Sequence, residues 1–519
     1  MNTKIFTLVT LLFILTGSIF LRLYKIGDKP VWFDETVSIS HAEKPLDFYL
    51  TSPRVNYKPV YFFLLNRWLY LFGEDAFNLR LFSLICGVLN ILFIFKLASL
   101  LFNEETGLLS AFLLGISVFH IYQCQQIRQF SFIALLATAA VYYLTKFYKT
   151  GRIVYLGLLL AINILLINTY PTGFLVVMAE GIFAALYLRG ILLRKWIFSF
   201  IPLALFAGLW FLNSDKSHMK EMAFWISKPG LKSIVETFNT LSWGGPRYGL
   251  DDFKVTFAAP WLMWIFSLGY FVLILFGFYS AKATRKADDK RAKVLLSLWL
   301  VIPVLFTYLY SQMNDFSIYA IKHFIIILPA FCISVAVGFL CFSHKVKIVI
   351  ISSICLLSFI PLSIVYNNSF SADWKNSTEY VSSLIAEGDA VVVSSLSEVV
   401  TFMFYFDKKK HTLQDFDIYG KISRENYKNN VFLAGRNNQI IGIKLGDKNV
   451  DFESDLQEKI MNNSAIKKKR VWTMISRSTY PPITLGVIGF MERNFRKRGC
   501  RSFRGVEVRC FDPLVIKNQ

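Results

Sequence analysis

The sequence predicts a polytopic α-helical membrane protein of about eleven crossing helices, with a small α/β domain at its C-terminal end. Three observations predict it. Apolar runs long enough to span a hydrocarbon core of about 30 Å recur from residue 5 to residue 366. The composition is 55% hydrophobic with 50 phenylalanines, too apolar for a soluble enzyme of 519 residues. Beyond residue 367 the apolar runs shorten to strand length and are separated by polar, charged stretches. The expected domains are therefore a membrane domain over 1–366 and an extracytoplasmic α/β domain over 367–519.

Residues 1–24 carry a single lysine and an apolar run without a small-residue cleavage pattern, which predicts an uncleaved first span. A mixed first loop follows over 24–77. Within it 61–72 is apolar but short, interrupted by Asn66 and Arg67 and followed by Gly73-Glu74-Asp75. That pattern predicts an amphipathic helix lying in the interface rather than a crossing. Further spans are expected at 78–101, 106–124, 130–147, 153–169, 172–189, 196–213, 260–280, 294–311, 323–342 and 346–366.

The basic residues decide orientation. Lys146, Lys149 and Arg152, then Arg189, Arg194 and Lys195, then Lys282 to Lys293, then Lys345 and Lys347 all fall on one side only if 61–72 does not cross. By the positive-inside rule that side is the cytoplasm. The N-terminus is then cytoplasmic, and the first loop and C-terminal domain lie outside the cytoplasmic (inner) membrane. The same outer side receives 124–129, the turn 168–173, the loop 214–259 with its Trp225, Trp243 and Tyr248, and 311–323. The basic residues behind the formal charge of +21 concentrate in the short loops between apolar runs and in the tail. In a membrane protein it reports topology and contact with anionic lipid headgroups before nucleic acid, which is not an expected partner.

The tail is expected to open with a helix over 374–387, turn at Gly388-Asp389 and continue in strands over 390–394, 399–406, 431–434, 471–476 and 506–511. Of the seven cysteines none forms a CxxC pair, so no zinc or redox motif is indicated. Cys86, Cys124, Cys332, Cys341 and Cys355 sit in or beside apolar runs as small packing residues. Cys500 and Cys510 flank Gly505 at a spacing that a hairpin could close, which leaves a disulfide and two free thiols as alternatives.

The outer side holds the residues with chemistry to offer. Asp34 and Glu35 stand side by side just beyond the first span, where a carboxylate can act as a base or hold a metal. Lys58, Arg128, Lys322 and His323 are cations that the topology places at the same membrane face. Arg supplies a planar fork and Lys a point charge for a phosphate, although either side chain can instead reach for lipid headgroups. Arg128 stands out, because a charge at the edge of a span is costly without a partner. Tyr57, Gln126 and Tyr170 lie on the same outer segments as candidate donor or acceptor contacts. A divalent metal at Asp34 and Glu35 and no cofactor at all remain alternatives.

These motifs, in this order, resemble the GT-C membrane glycosyltransferases. The order is Asp34-Glu35 after the first span, Lys58-Pro59, Leu71-Phe72-Gly73, Leu79-Arg80-Leu81-Phe82-Ser83 and Gln126-Ile127-Arg128-Gln129-Phe130-Ser131. The branch most similar is that of protein O-mannosyltransferases and lipid A aminoarabinose transferases, the dolichyl-phosphate-mannose-protein mannosyltransferase-like group. Ile321-Lys322-His323-Phe324 with Leu328-Pro329 stands where that group has an Arg-Tyr-Leu-x-Pro segment. Asp373-Trp374-Lys375 and Glu387-Gly388-Asp389 resemble the start of the outer domain in its bacterial members. The resemblance implies inverting transfer of a sugar from a polyprenyl-phosphate donor to a lipid, glycan or protein acceptor. It implies Asp34 as base, Glu35 as the residue that orients the site and Lys58 on the lipid phosphate. This chain departs from the group in having Lys322-His323 for Arg-Tyr, and no histidine in the turn Tyr170-Pro171-Thr172-Gly173 where some members place a metal ligand.

Two other classes remain open: a transporter or flippase of lipid-linked sugars, and a non-enzymatic membrane scaffold. A transporter calls for polar residues at mid-bilayer depth along several spans. The expected mid-span polar residues are only Lys96 and Asn163, the other charges falling at span ends.

Overall fold

The computed structural model describes residues 3–44, 59–213, 226–244, 260–279, 287–367, 372–386, 388–393, 396–406, 431–432, 439–442, 470–476 and 481–512. Tyr57, Lys58, Trp225, Tyr248 and Glu387 lie outside them. The chain divides into two compact units. The first comprises Met1–Ile26, Pro45–Tyr248 and Val255–Asn368; the second comprises Gly27–Lys44, Gly249–Lys254 and Ser369–Gln519. The second unit thus takes in the start of the first loop, which the linear boundary at 366/367 leaves with the membrane domain.

In the first unit each expected span falls on helix. The helices are Thr3–Leu23, Ala76–Leu101, Glu104–Ile116 with Val118–Cys124, Phe130–Thr150, Ile153–Thr169, Gly173–Tyr187, Gly190–Asn213, Pro260–Tyr279, Ala287–Met313, Leu328–Phe339 and His344–Asn367. Among the described residues seven helices are long and apolar enough to cross a membrane, or eight if the bent pair Glu104–Ile116 and Val118–Cys124 is one span. Ile153–Thr169 and Gly173–Tyr187 are apolar but shorter. The segment 61–72 is helical as Pro59–Phe72, where proline at the first position loses no hydrogen bond. It buries Tyr61, Phe62 and Leu65 and leaves Tyr70 and Leu71 exposed.

Burial separates the helices. Every residue of Leu328–Phe339 is buried, whereas Thr3–Leu23 and His344–Asn367 expose bands of Phe, Leu and Ile such as Phe13, Phe20, Leu356 and Phe359. An exposed apolar band on a helix whose backbone is internally bonded suits contact with hydrocarbon. Helices Pro260–Tyr279 and Leu328–Phe339 pack closely through glycine. A Cβ on Gly338 would stand 1.6 Å from the Leu273 carbonyl oxygen, and one on Gly277 2.9 Å from the Gly338 nitrogen. Small residues let backbones approach where no hydrophobic drive separates helix from lipid.

The structure corrects the expectation that Lys96 and Asn163 are the only mid-span polar residues, since Asn90 and Glu180 are also buried midway along their helices. Arg22, Arg80 and His120 are buried too, nearer the ends of theirs. Asn163 Nδ2 donates to Glu180 Oε2 at 2.7 Å, joining Ile153–Thr169 to Gly173–Tyr187. Charges in hydrophobic surroundings keep partners, because an unpaired one costs several kcal/mol. Among the membrane-segment cysteines, Cys86, Cys124 and Cys332 are buried and Cys355 is exposed.

The second unit is built on a six-stranded mixed sheet in the order β2-β3-β1-β4-β6-β5. Its strands are β1 (Ala390–Val393), β2 (Val431–Phe432), β3 (Gln439–Gly442), β4 (Val471–Ser476), β5 (Lys497–Phe503) and β6 (Val506–Phe511). β1 pairs in parallel with β3 and β4, while β2, β5 and β6 pair antiparallel. The strand expected over 399–406 is instead the helix Leu396–Phe406. Its β-branched and aromatic residues favour a strand, but a parallel pair such as β1 and β3 needs a crossover, and here this helix begins it. Val399, Phe402 and Met403 carry it onto the core with Val391, Val393, Met474 and Val508. The helix Pro481–Asn494 and the strands β3 and β5 are present without having been expected from the residue pattern. The exposed, strongly basic pattern of β5 hides its character as an edge strand.

The hairpin about Gly505 forms, with that glycine at φ +72° in the turn from β5 to β6. The disulfide does not. The tight turn at Arg504-Gly505 sets Phe503 opposite Val506, and the same register carries Cys500 opposite Arg509 and Cys510 opposite Gly499. Both cysteines are free, Cys500 exposed and Cys510 buried. Cys500 Sγ instead donates to Glu507 Oε1 at 3.3 Å.

Candidate functional site

Arg128 lies in a short non-helical link between the helices Val118–Cys124 and Phe130–Thr150. Local chemistry holds that link. Gln125 Nε2 donates to the carbonyls of Arg22 (3.1 Å) and Tyr24 (2.8 Å) at the end of the first helix. Ser83 Oγ donates to the Arg128 carbonyl at 3.2 Å, and Arg80 Nη1 donates to the Ile26 carbonyl at 2.7 Å. Arg80 and Ser83 are the polar members of the Leu-Arg-Leu-Phe-Ser motif. Their spacing of three puts both on one face of Ala76–Leu101.

Behind the link, the chain bends by 62° at Ser117. A bend frees helical carbonyls that must find donors inside the unit. Fully buried Arg22 supplies them: Nη1 donates to the Gly115 carbonyl at 2.8 Å and Nη2 to the Leu114 carbonyl at 3.2 Å. Its Nη2 also meets His120 Nδ1 at 2.6 Å. Arginine only donates, so this nitrogen accepts and the neutral imidazole carries its proton on Nε2, toward which the Asn90 amide, 3.3 Å away, must turn its oxygen. Nothing in the residue order marks Arg22 or His120, whereas Arg80 carries a signal through its motif.

Four of the expected site residues gather around one ring. The Arg128 guanidinium is 5.8 Å from the Phe130 centroid and the Lys322 ammonium also 5.8 Å from it. The imidazole of His323 stacks on Phe130 at 6.2 Å, and Tyr170 meets Phe130 edge-on at 6.0 Å. Tyr170 Oη and His323 Nε2 are hydrogen-bonded at 2.7 Å. The turn at Tyr170, which has no histidine of its own, therefore receives one from Ile321–Ile327, a 3-10 helix. The irregular helix follows from the chain's close passage into the wholly buried Leu328–Phe339, with Pro329 in its first turn. Arg128 and His323 are each 7% exposed, enough burial to strengthen their electrostatics. Phe130 could not be recognised as the hub, because a phenylalanine at the start of an apolar run looks like any other. Gln126 is buried in the same link. Lys58 and Tyr57 fall outside the described residues.

Asp34 and Glu35 belong to the second unit, on the helix Phe33–Ala42. They differ in environment. Glu35 is fully buried and its Oε2 accepts the Trp32 backbone N–H at 3.4 Å, closing the first turn. Asp34, one position earlier and about 100° around the helix, is partly exposed. An acidic first turn also complements the helix dipole. Among the described residues no three His, Cys, Asp or Glu side chains gather as a metal-binding group.

The family model described as dolichyl-phosphate-mannose-protein mannosyltransferase matches residues 53–211. No curated protein matches the sequence. Among solved structures the chain is similar to ArnT from Cupriavidus metallidurans in the apo state, with TM-score 0.57, 10% identity and 97% of each chain covered. It is also similar to ArnT from that organism bound to undecaprenyl phosphate, with TM-score 0.54, 10% identity, and 98% of this chain and 97% of that one covered. The arabinofuranosyltransferase AftD from Mycobacteria matches at TM-score 0.52 and 10% identity, over 96% of this chain and 41% of that one. The chain is a polytopic membrane protein with the fold of the GT-C glycosyltransferases.

Proposed function

We propose that this protein is an inverting membrane glycosyltransferase. It moves a sugar from a polyprenyl-phosphate donor to a lipid, glycan or protein acceptor at the outer face of the cytoplasmic membrane. The observation that carries this reading is the gathering of Arg128, Lys322, His323 and Tyr170 around Phe130. Fixed cations and a hydroxyl–imidazole pair in a membrane unit suit a lipid-linked phosphate, and a GT-C neighbour of this chain is bound to undecaprenyl phosphate.

Asp34 is the base. It takes the proton of the acceptor hydroxyl as the oxygen attacks the anomeric carbon, and the bond from that carbon to the phosphate oxygen breaks. Polyprenyl phosphate leaves as an anion, so the leaving group needs cations and no proton donor. Arg128 offers it a fork, and Lys322 and Lys58 offer point charges. Glu35 fixes the turn that carries Asp34 and does not exchange protons with the acceptor. The outer orientation of these residues is the one the basic loops favour.

One observation favours the transporter reading, the buried Asn163–Glu180 pair inside the membrane unit. A single experiment separates the two. Asp34→Asn keeps the shape of the side chain and removes the base, so transfer from a radiolabelled polyprenyl-phosphate sugar should fall by about 10²- to 10⁴-fold while donor binding is kept. Wild-type turnover in Asp34→Asn refutes the mechanism. Movement of the lipid across liposomes by the wild-type protein, with no sugar released, establishes the transporter.

A further inference from the structure

The helix that carries Asp34 and Glu35 is a poor helix by its own sequence. It spans ten residues, Phe33–Ala42, of which Thr36, Val37 and Ile39 are β-branched and Ser38 and Ser40 compete for the backbone. Thr36 Oγ1 bonds the Phe33 carbonyl at 2.8 Å, Ser38 Oγ the Asp34 carbonyl at 3.0 Å and Ser40 Oγ the Val37 carbonyl at 3.0 Å. Such back-bonding slightly weakens a helix. Isolated helices of this length are marginal in water, so its order must come from tertiary packing.

Within the second unit that support comes from Leu396–Phe406, the helix expected from sequence to be a strand. Tyr405 Oη donates to the Val31 carbonyl at 2.9 Å, just ahead of the carboxylate helix. Thr401 Oγ1 and Thr36 Oγ1 are hydrogen-bonded at 3.2 Å, and both threonines are fully buried. The face of Phe33–Ala42 turned inward bears Glu35, Thr36, Ile39 and Ala42. Four residues before Tyr405, Thr401 lies on the same side of its helix. Val399, Phe402 and Met403 of that helix are locked into the core of the sheet. A continuous, packed path therefore runs from the sheet of the C-terminal unit to the turn before Asp34.

We infer that Tyr405 and Thr401 are positioning residues for Asp34, and that the C-terminal unit takes part in sugar transfer by holding the carboxylate helix in register. The inference rests on the reading of Asp34 as the base. Neither residue touches substrate; each acts through backbone or side chain of 31–36. Losing either bond loosens the helix and lowers the fraction of molecules with Asp34 in place, which reduces turnover without altering how the donor phosphate is held.

The experiment uses the full chain in detergent, as Tyr405→Phe, Thr401→Val and Thr401→Ser. Two readouts are taken: amide hydrogen exchange over 31–42, with β1 as internal control, and kcat and KM for transfer beside donor binding. Tyr405→Phe and Thr401→Val should each raise exchange over 31–42 by about 3- to 10-fold, the effect of one net hydrogen bond, with β1 unchanged. Each should lower kcat by about 10-fold with KM and donor binding unchanged, since small misplacement of a reacting group is costly. Thr401→Ser keeps the hydroxyl and should restore both. Unchanged exchange over 31–42 in Tyr405→Phe and Thr401→Val overturns the anchoring. Raised KM with unchanged kcat overturns the positioning role. If Asp34→Asn is fully active, faster exchange in the two variants still upholds the anchoring, and only the assignment of the base falls.

Discussion

Replacing Arg128 is the sharpest test of the cation cluster. The residue is 7% exposed and its guanidinium lies against Phe130, so water screens it poorly and a phosphate facing it feels most of its charge. A hydrogen bond to a charged group is worth about 1.5–3 kcal/mol, which is roughly 10- to 150-fold in a dissociation constant. Arg128→Met removes the charge while keeping an apolar stem of similar length. It should weaken binding of a polyprenyl-phosphate donor analogue by about that factor. Arg128→Lys keeps the charge and loses the fork, and should fall at the low end, about 10-fold. Its backbone carbonyl still accepts from Ser83 Oγ in either variant, so the link between helices should persist. The assay is titration of a fluorescent or radiolabelled donor in detergent, with thermal unfolding on the same samples. Wild-type donor affinity in Arg128→Met, with the protein folded, refutes the phosphate site. Loss of affinity accompanied by an equal loss of stability would make Arg128 a purely structural charge.

Two further outcomes test the surrounding structure. Gly338→Ala should destabilise the membrane unit by about 1–3 kcal/mol, because a Cβ there would stand 1.6 Å from the Leu273 carbonyl oxygen; an unchanged unfolding temperature in detergent would contradict the close packing of Pro260–Tyr279 on Leu328–Phe339. In the tail, Cys500 and Cys510 should both be recovered as free thiols by non-reducing peptide mapping. Desolvation raises the Cys500 thiol above its ordinary value, and the hydrogen bond to Glu507 and that carboxylate's charge add to the rise. A raised value means less thiolate at a given pH. Alkylation of Cys500 at pH 8 should therefore be slower than that of a free cysteine and keep climbing as pH increases, whereas Glu507→Gln should speed it. Equal rates for Cys500 and free cysteine would refute the Glu507 contact.

Much of this protein is legible in its residue order. Composition and apolar run length locate the helices of the membrane unit, because every backbone group in hydrocarbon must be bonded within its own segment. Arg128 signals itself by being a charge at the edge of a span, and Asp34 and Glu35 by standing together beyond one. The carboxylates look equivalent in sequence. Only burial tells them apart, Glu35 spent on the turn at Trp32 and Asp34 left partly exposed. The ring of Phe130, the arrival of His323 at Tyr170 and the rescue of the Leu114 and Gly115 carbonyls by Arg22 join residues up to 153 positions apart. No local pattern encodes such contacts, since they depend on which helix faces which.

The tail shows the same division in another form. Runs of valine and aromatic residues announced β1, β4 and β6 correctly, as alternation and β-branching fit a pleated surface. The same chemistry in 399–406 became a helix, because β1 pairs in parallel and the chain must cross over before it can return. Spacing brought Cys500 and Cys510 onto neighbouring strands, but the hairpin register set by the turn at Arg504-Gly505 pairs Cys500 with Arg509 and so keeps the two cysteines from facing each other. Residue order thus locates where the chain enters helix and which residues carry charge at its edges, and leaves the hairpin at Gly505 as an open option. Only the tertiary structure decided which of those residues meet, because side-chain partners are set by long-range packing and strand register.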